Sequence, residues 1–178
     1  NQLDVTKKIT LDKQYRMHPV LGNFVSEYFY NSYGEGFDSP LGPEKFKHSL
    51  PFVSGKAAVW CDVPHDEGDY KEQKNDNKSR YRTAEARVAA KMLKQWLDSD
   101  TEKKKTFGII SFYSAQCAEV RKELNNLGIC NKDGDFLDEY KFVESNDKSE
   151  ENEFGEKMES KERIRIGTVD AFQGMEFD

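Results

Sequence analysis

No GxxxxGK string followed by Ser or Thr occurs in these 178 residues. The glycine-rich loop that cradles a triphosphate is therefore missing, which excludes a self-sufficient P-loop nucleotidase. A GxGxxG string is missing too, which sets aside a dinucleotide-binding Rossmann unit. A carboxylate pair suited to holding Mg2+ and an attacking water is not identifiable. The three cysteines, Cys61, Cys117 and Cys130, show no CxxC spacing. An odd, scattered set argues for reduced thiols and an intracellular protein, cytoplasmic or nuclear. The histidines, His18, His48 and His65, are dispersed, whereas a zinc site needs a cluster, so no metal site is expected. Apolar runs reach only four or five residues and no secretory signal is visible. A membrane is therefore not an expected partner. Internal repeats are lacking.

What is present is charge. Charged residues make up 34% of the chain and apolar residues 36%, with a net charge of −6. The acidity belongs to one segment: residues 131–162 hold 12 acidic and 5 basic residues, net −7, and the remainder sums to +1. That segment reads as a flexible, solvated insertion that repels phosphates. Outside it, net charge neither favours nor excludes a nucleic-acid partner. The length suits one domain, residues 1–178, with a real core. The chain lacks an initiator Met and stops within a polar turn, so it reads as a piece of a longer protein truncated at 178.

Hydrophobic periodicity places the elements. Lys8 to Leu11 is a short strand candidate. Residues 18–31 read as a helix opened by Pro19, with Val20, Leu21, Phe24, Val25, Tyr28 and Phe29 on one face. Residues 32–56 hold three of the five Pro and four of the twelve Gly and read as irregular connection. Residues 57–63, AAVWCDV, read as a strand, and 64–80 as a charged surface loop. A helix is expected over 81–98, with Ala84, Val88, Ala89, Met92, Leu93, Trp96 and Leu97 as its apolar stripe. Residues 106–112 form an apolar run of the kind buried on both faces. A second helix carries Cys117, Val120, Leu124 and Leu127, with Gly128 placed as its C-terminal cap. Residues 163–169 are the last strand. Strands alternating with helices predict an α/β fold with a mainly parallel sheet flanked by helices. Ligands of such sheets bind past the carboxyl ends of the strands.

Three segments carry chemistry: QYRMHP at 14–19, GIISFYSAQ at 108–116 and GTVDAFQGMEFD at 167–178. On residue type alone Arg16 suits a phosphate or a surface salt bridge, and Tyr15 a ligand stack or a core. Thr168 suits a strand filler as well as a hydroxyl donor, and Gln116 an ordinary first-turn helix residue. In this order, however, the segments resemble the second RecA-like motor domain of superfamily 1 helicases, the AAA-type helicase C-terminal domain. The likeness is greatest to the subgroup typified by the nonsense-mediated-decay RNA helicase, with senataxin-like and Dna-two-type enzymes. The middle segment departs from the pattern, with Ser111-Phe112 where the family has Thr-Pro.

The resemblance implies a RecA-like P-loop NTPase fold lacking its own P-loop. It implies an ATP-dependent helicase or translocase as parent, with the P-loop and Mg2+ ligands on a first RecA-like domain of the same polypeptide. Arg16 would then be an arginine finger on the γ-phosphate, the one catalytic residue here. Gln14, Tyr15, Gln173, Gly174 and Glu176 would complete this half of the ATP site, with Glu176 on the ribose hydroxyls. Ser111, Tyr113, Gln116 and Thr168 would hold single-stranded DNA or RNA. Asp170 would brace the loop between the two ligands, and His18 and Pro19 would set the helix start. Alone, the fragment would be inactive. The alternative is a helicase-derived module that binds nucleic acid or protein without catalysis.

Overall fold

Pro19, with its fixed φ and missing N–H, opens α1, Pro19–Val25. Its cap is the His18 ring, whose Nδ1 accepts the Val20 N–H at 3.1 Å. This helix belongs to the first of two compact units in the computed structural model, Asn1–Cys61 and Asp62–Asp178. The structure describes residues 10–64, 71–142 and 162–174. After α1 the coil widens to a π turn over Ser26–Tyr30 and tightens to a 3-10 turn over Asn31–Tyr33. The expected helix at 18–31 therefore exists, with a changed hydrogen-bond pattern in its second half. Ser26 is buried there, and its Oγ accepts the Phe37 N–H at 2.8 Å. The apolar face is not a buried one: Val20, Phe24, Tyr28 and Phe29 are each more than half exposed.

Of the strand expected over Lys8 to Leu11, Lys8 and Ile9 lie outside the described residues, and Thr10 and Leu11 are in no strand; the strand expected at 57–63 is not formed. Residues 57–63 carry β-type side chains but form no ladder, and Trp60 is 92% exposed. β-propensity measures fit to a neighbouring strand, and no described segment pairs with this one.

The second unit opens with a feature the sequence hides. Part of the expected loop at 64–80 is a hairpin of β1, Gln73–Lys74, and β2, Arg80–Tyr81. Its turn is built by Asn75, whose Oδ1 accepts the Ser79 N–H at 2.9 Å, with Lys78 in left-handed backbone at φ 61°. Then follow α2, Thr83–Ser99, β3, Phe107–Ser111, α3, Ser114–Asn126, and β4, Ile164–Thr168. β3 and β4 are parallel, in register from Phe107 opposite Ile164 to Ser111 opposite Thr168. This arrangement is α/β, as expected. The two helices pack on each other, and α3 touches both strands. The buried stripe of α2 is Ala84, Ala86, Ala90, Leu93 and Leu97. It is rotated from the expected one toward small residues, which let α3 approach.

Burial of β3 on both faces is not observed. Phe107 is buried, stacked on Trp96 of α2, but Ile110 is 55% exposed. α3 ends as its glycine requires. Gly128 takes φ 71°, its N–H bonds Asn125 O, and the Ile129 N–H bonds Leu124 O at 3.0 Å, a Schellman closure with Ile129 fully buried. Burial pushes the thiols of Cys117 and Cys130 up, so both remain protonated. The front of the acidic segment is folded. Asn131 Oδ1 accepts the N–H groups of Asp133 and Asp135, and Asp138–Tyr140 form a 3-10 turn. Residues 143–161 of that segment lie outside the described residues.

One ion pair closes this unit. Arg163 Nη2 lies 3.0 Å from Asp100 Oδ2, with side chains 2% and 8% exposed. Arg163 also donates to Tyr140 O at 3.1 Å and sits over the Phe107 ring. Burial opposes ionisation of Asp100, but the Lys105 N–H, the Arg163 guanidinium and the Lys104 N–H outweigh it and hold the carboxyl below its usual range. Such a group contributes stability above the unfolded-state pKa, about 4, and loses it as pH falls through the lower folded value. Arg163→Met alone should therefore cost about 3–5 kcal/mol in urea unfolding, because it strands a buried carboxylate. The Arg163→Met, Asp100→Leu pair should cost clearly less and flatten the loss of stability below about pH 4. Equal costs for the single and double variants would refute this account.

Candidate functional site

The QYRMHP turn is organised by one side chain of the first unit. Gln14 Oε1 accepts the N–H groups of Arg16 at 2.9 Å and Met17 at 2.7 Å. Its Nε2 donates to Met17 O at 3.0 Å and Ser39 Oγ at 2.7 Å. The backbone adds a parallel bridge between Lys13 and Asp38. Gly22 of α1 makes room: a Cβ there would lie 2.7 Å from Gln14 Nε2 and collide with Ser39 Oγ. So Gln14, expected at the nucleotide, has its carboxamide committed to shaping the turn. The turn presents its two neighbours outward. Arg16 is exposed, and Tyr15 is 60% exposed, so Tyr15 is not a core aromatic of this unit. His18 and Pro19 set the helix start, as expected.

In the second unit the site follows from strand register. Ser111 and Thr168, 57 positions apart, stand side by side as the last pair of β3 and β4, at their carboxyl ends. Ser111 Oγ accepts the Tyr113 N–H at 3.2 Å, which leaves its own proton to donate. Tyr113 is 44% exposed beside it. Gln116 is committed elsewhere. Its Oε1 accepts the Arg82 N–H at 2.7 Å and its Nε2 donates to Arg82 O, tying the starts of α2 and α3 together. The Ala115 N–H at the start of α3 is also taken, by Ser79 Oγ at 3.1 Å.

Beyond Thr168 the chain turns through a 3-10 segment, Val169–Phe172, with Phe172 buried as its anchor. Gly167 lies against this turn; a Cβ there would sit 3.1 Å from Ala171 Cβ and 3.3 Å from the Phe172 ring. The Asp170 carbonyl accepts the Gln173 N–H, and Gln173 and Gly174 are exposed, with Gly174 at φ 81°. Glu176 lies outside the described residues. Among the described residues no group of three His, Cys, Asp or Glu side chains could hold a metal ion, and no helix is long and apolar enough to cross a membrane.

Sequence reasoning missed two neighbours of this edge. Phe112 is 86% exposed between Ser111 and Tyr113. The β1–β2 hairpin is docked beside them through Ser79, whose Oγ is 3.4 Å from Ser114 Oγ. Phe112 carried a signal, its departure from the family pattern; the hairpin carried none beyond Asn75.

A family model described as an AAA domain, AAA_12, matches residues 2–178. No curated protein matches the chain.

Because Gln14 holds the turn, Gln14→Ala should free the Arg16 and Met17 N–H groups. Their amide hydrogens should exchange about 2- to 10-fold faster, with exchange in α2 unchanged. Unaltered exchange at both positions would show that the turn is held otherwise.

Proposed function

The chain belongs to the AAA domain family of helicase-type motors, and from that membership we propose that it is the second RecA-like motor domain of a superfamily 1 helicase or translocase. The subgroup we assign is that of the nonsense-mediated-decay, senataxin-like and Dna-two-type enzymes. ATP, with Mg2+, is held chiefly by a first RecA-like domain. Arg16 serves as the arginine finger, countering charge that grows as the γ-phosphoryl transfers. Tyr15 flanks the nucleotide, and Gln14 positions both. Gln173, Gly174 and Glu176 complete the nucleotide side, with the Glu176 carboxylate accepting from the ribose hydroxyls. Ser111 and Thr168 donate to phosphates of a single DNA or RNA strand, with Tyr113 and Gln116 bordering the same edge. Tighter ATP binding to a closed arrangement than to an open one moves the strand. The reading makes the protein intracellular, and the chain alone inactive.

The observation that carries the reading is the Ser111–Thr168 pair. Two residues singled out from separate motifs are register partners at the carboxyl ends of parallel strands, where ligands of such sheets bind. Arg16 supports it as an exposed residue on a turn fixed by Gln14.

In the intact protein, Arg16→Ala should lower strand-stimulated ATP turnover on the order of 1,000-fold while leaving single-strand affinity unchanged. Unchanged turnover would reject the assignment. A wild-type protein that binds the strand and hydrolyses no ATP would favour a non-catalytic binding module.

A further inference from the structure

We propose that Phe112 is a stacking platform for a base of the single strand that Ser111 and Thr168 grip, a contact that deepens, and rests on, the nucleic-acid reading above. A lone exposed apolar side chain is ordinary, and position is what sets this one apart. Phe112 is 86% exposed in the link between β3 and α3, past the carboxyl end of the strand. Its neighbours in sequence are Ser111, aligned with Thr168, and Tyr113, itself 44% exposed. Hydroxyls that hold a backbone beside a bare aromatic ring are what a strand-binding surface combines, since every base has a π-face to stack.

The surroundings fit a polyanion. Residues 71–82 hold five basic and two acidic residues. Ser79 docks their hairpin on the start of α3 through Ser114 and Ala115. Lys74 and Lys78 of that hairpin are exposed. Ser79, next to Lys78 in sequence, thus brings a cation-bearing hairpin to the start of α3, which favours phosphates there. The proline that the family pattern carries at this place offers no aromatic face, so the stacked base would be a contact particular to chains with an aromatic residue here. Because any base can stack, the contact strengthens binding without choosing a sequence.

The test compares two oligonucleotides of equal length in fluorescence anisotropy with the intact protein, one oligothymidylate and one abasic. Wild type should prefer the thymidylate. Phe112→Ala should weaken thymidylate binding about 5- to 100-fold, leave abasic binding unchanged and so erase the preference. Phe112→Trp should retain it. Thymidylate binding by Phe112→Ala equal to wild type would overturn the proposal while leaving the nucleic-acid reading intact, and so would equal losses on both oligonucleotides. Wild-type protein that binds neither oligonucleotide would overturn both.

Discussion

The second unit depends on a charge that water cannot reach. Arg163 stands at the entry to β4, and Asp100 at the exit of α2. Between them they fix three connections. The Asp100 carboxylate takes the Lys104 and Lys105 N–H groups and so shapes the turn into β3. The Arg163 guanidinium takes the Tyr140 carbonyl and so anchors the 3-10 turn at 138–140. The Phe107 ring, stacked on Trp96, lies beneath the guanidinium. A buried pair of this kind is weak evidence of net stability, because desolvation offsets most of the attraction. Its contribution is better understood as alignment: one arrangement satisfies both charges, and a strand slipped by a residue leaves them buried and apart.

Alignment is what the site needs. The Phe107 N–H bonds Arg163 O, so the residue that pairs with Asp100 also starts the parallel ladder. Four steps along that ladder, Ser111 meets Thr168. The far edge of β4 is held by Arg121 of α3, whose Nη2 donates to Ile166 O at 2.7 Å. The hydroxyl pair is thus set by contacts remote from it, and both partners sit on regular strands rather than on loops. Arg16 is positioned by a different device, a four-bond carboxamide within its own turn. One site is fixed by register, the other by a side chain that mimics backbone.

Legibility in the sequence followed the range of the forces involved. Periodicity found α2, α3, β3 and β4, because each buries a face whose spacing is local. Gly128 was legible for the same reason, since a left-handed cap needs no distant partner. Residues 57–63 misled because a strand is defined by what lies beside it, which composition does not encode. The charged stretch before Arg80 hid a hairpin whose turn depends on the Asn75 side chain. Arg163 looked like an ordinary polar residue in RIRIGTV; nothing local reveals a partner 63 positions earlier. Gln14 and Gln116 stood out as motif residues, yet both have their carboxamides bonded to backbone. A motif marks where a site is without saying which member touches the ligand.

Among the described residues the parallel sheet has two strands, a small structure to carry such a site, since parallel sheets are ordinarily covered on both faces. Among the described residues, Ile110 on β3 and Val169 just beyond β4 are about half exposed. One face of the sheet is buried, through Phe107, Ile164 and Ile166, and the other is partly exposed. The sheet is held from one side by α3, and from its ends by the Asp100–Arg163 pair and the Phe172 anchor. Among the described residues, a scaffold supported this way leaves Phe112 and Tyr113 exposed past the carboxyl end of β3. The half-exposed face and the proposed strand contact then share one basis, a sheet aligned by the Asp100–Arg163 pair and covered by apolar neighbours on one face.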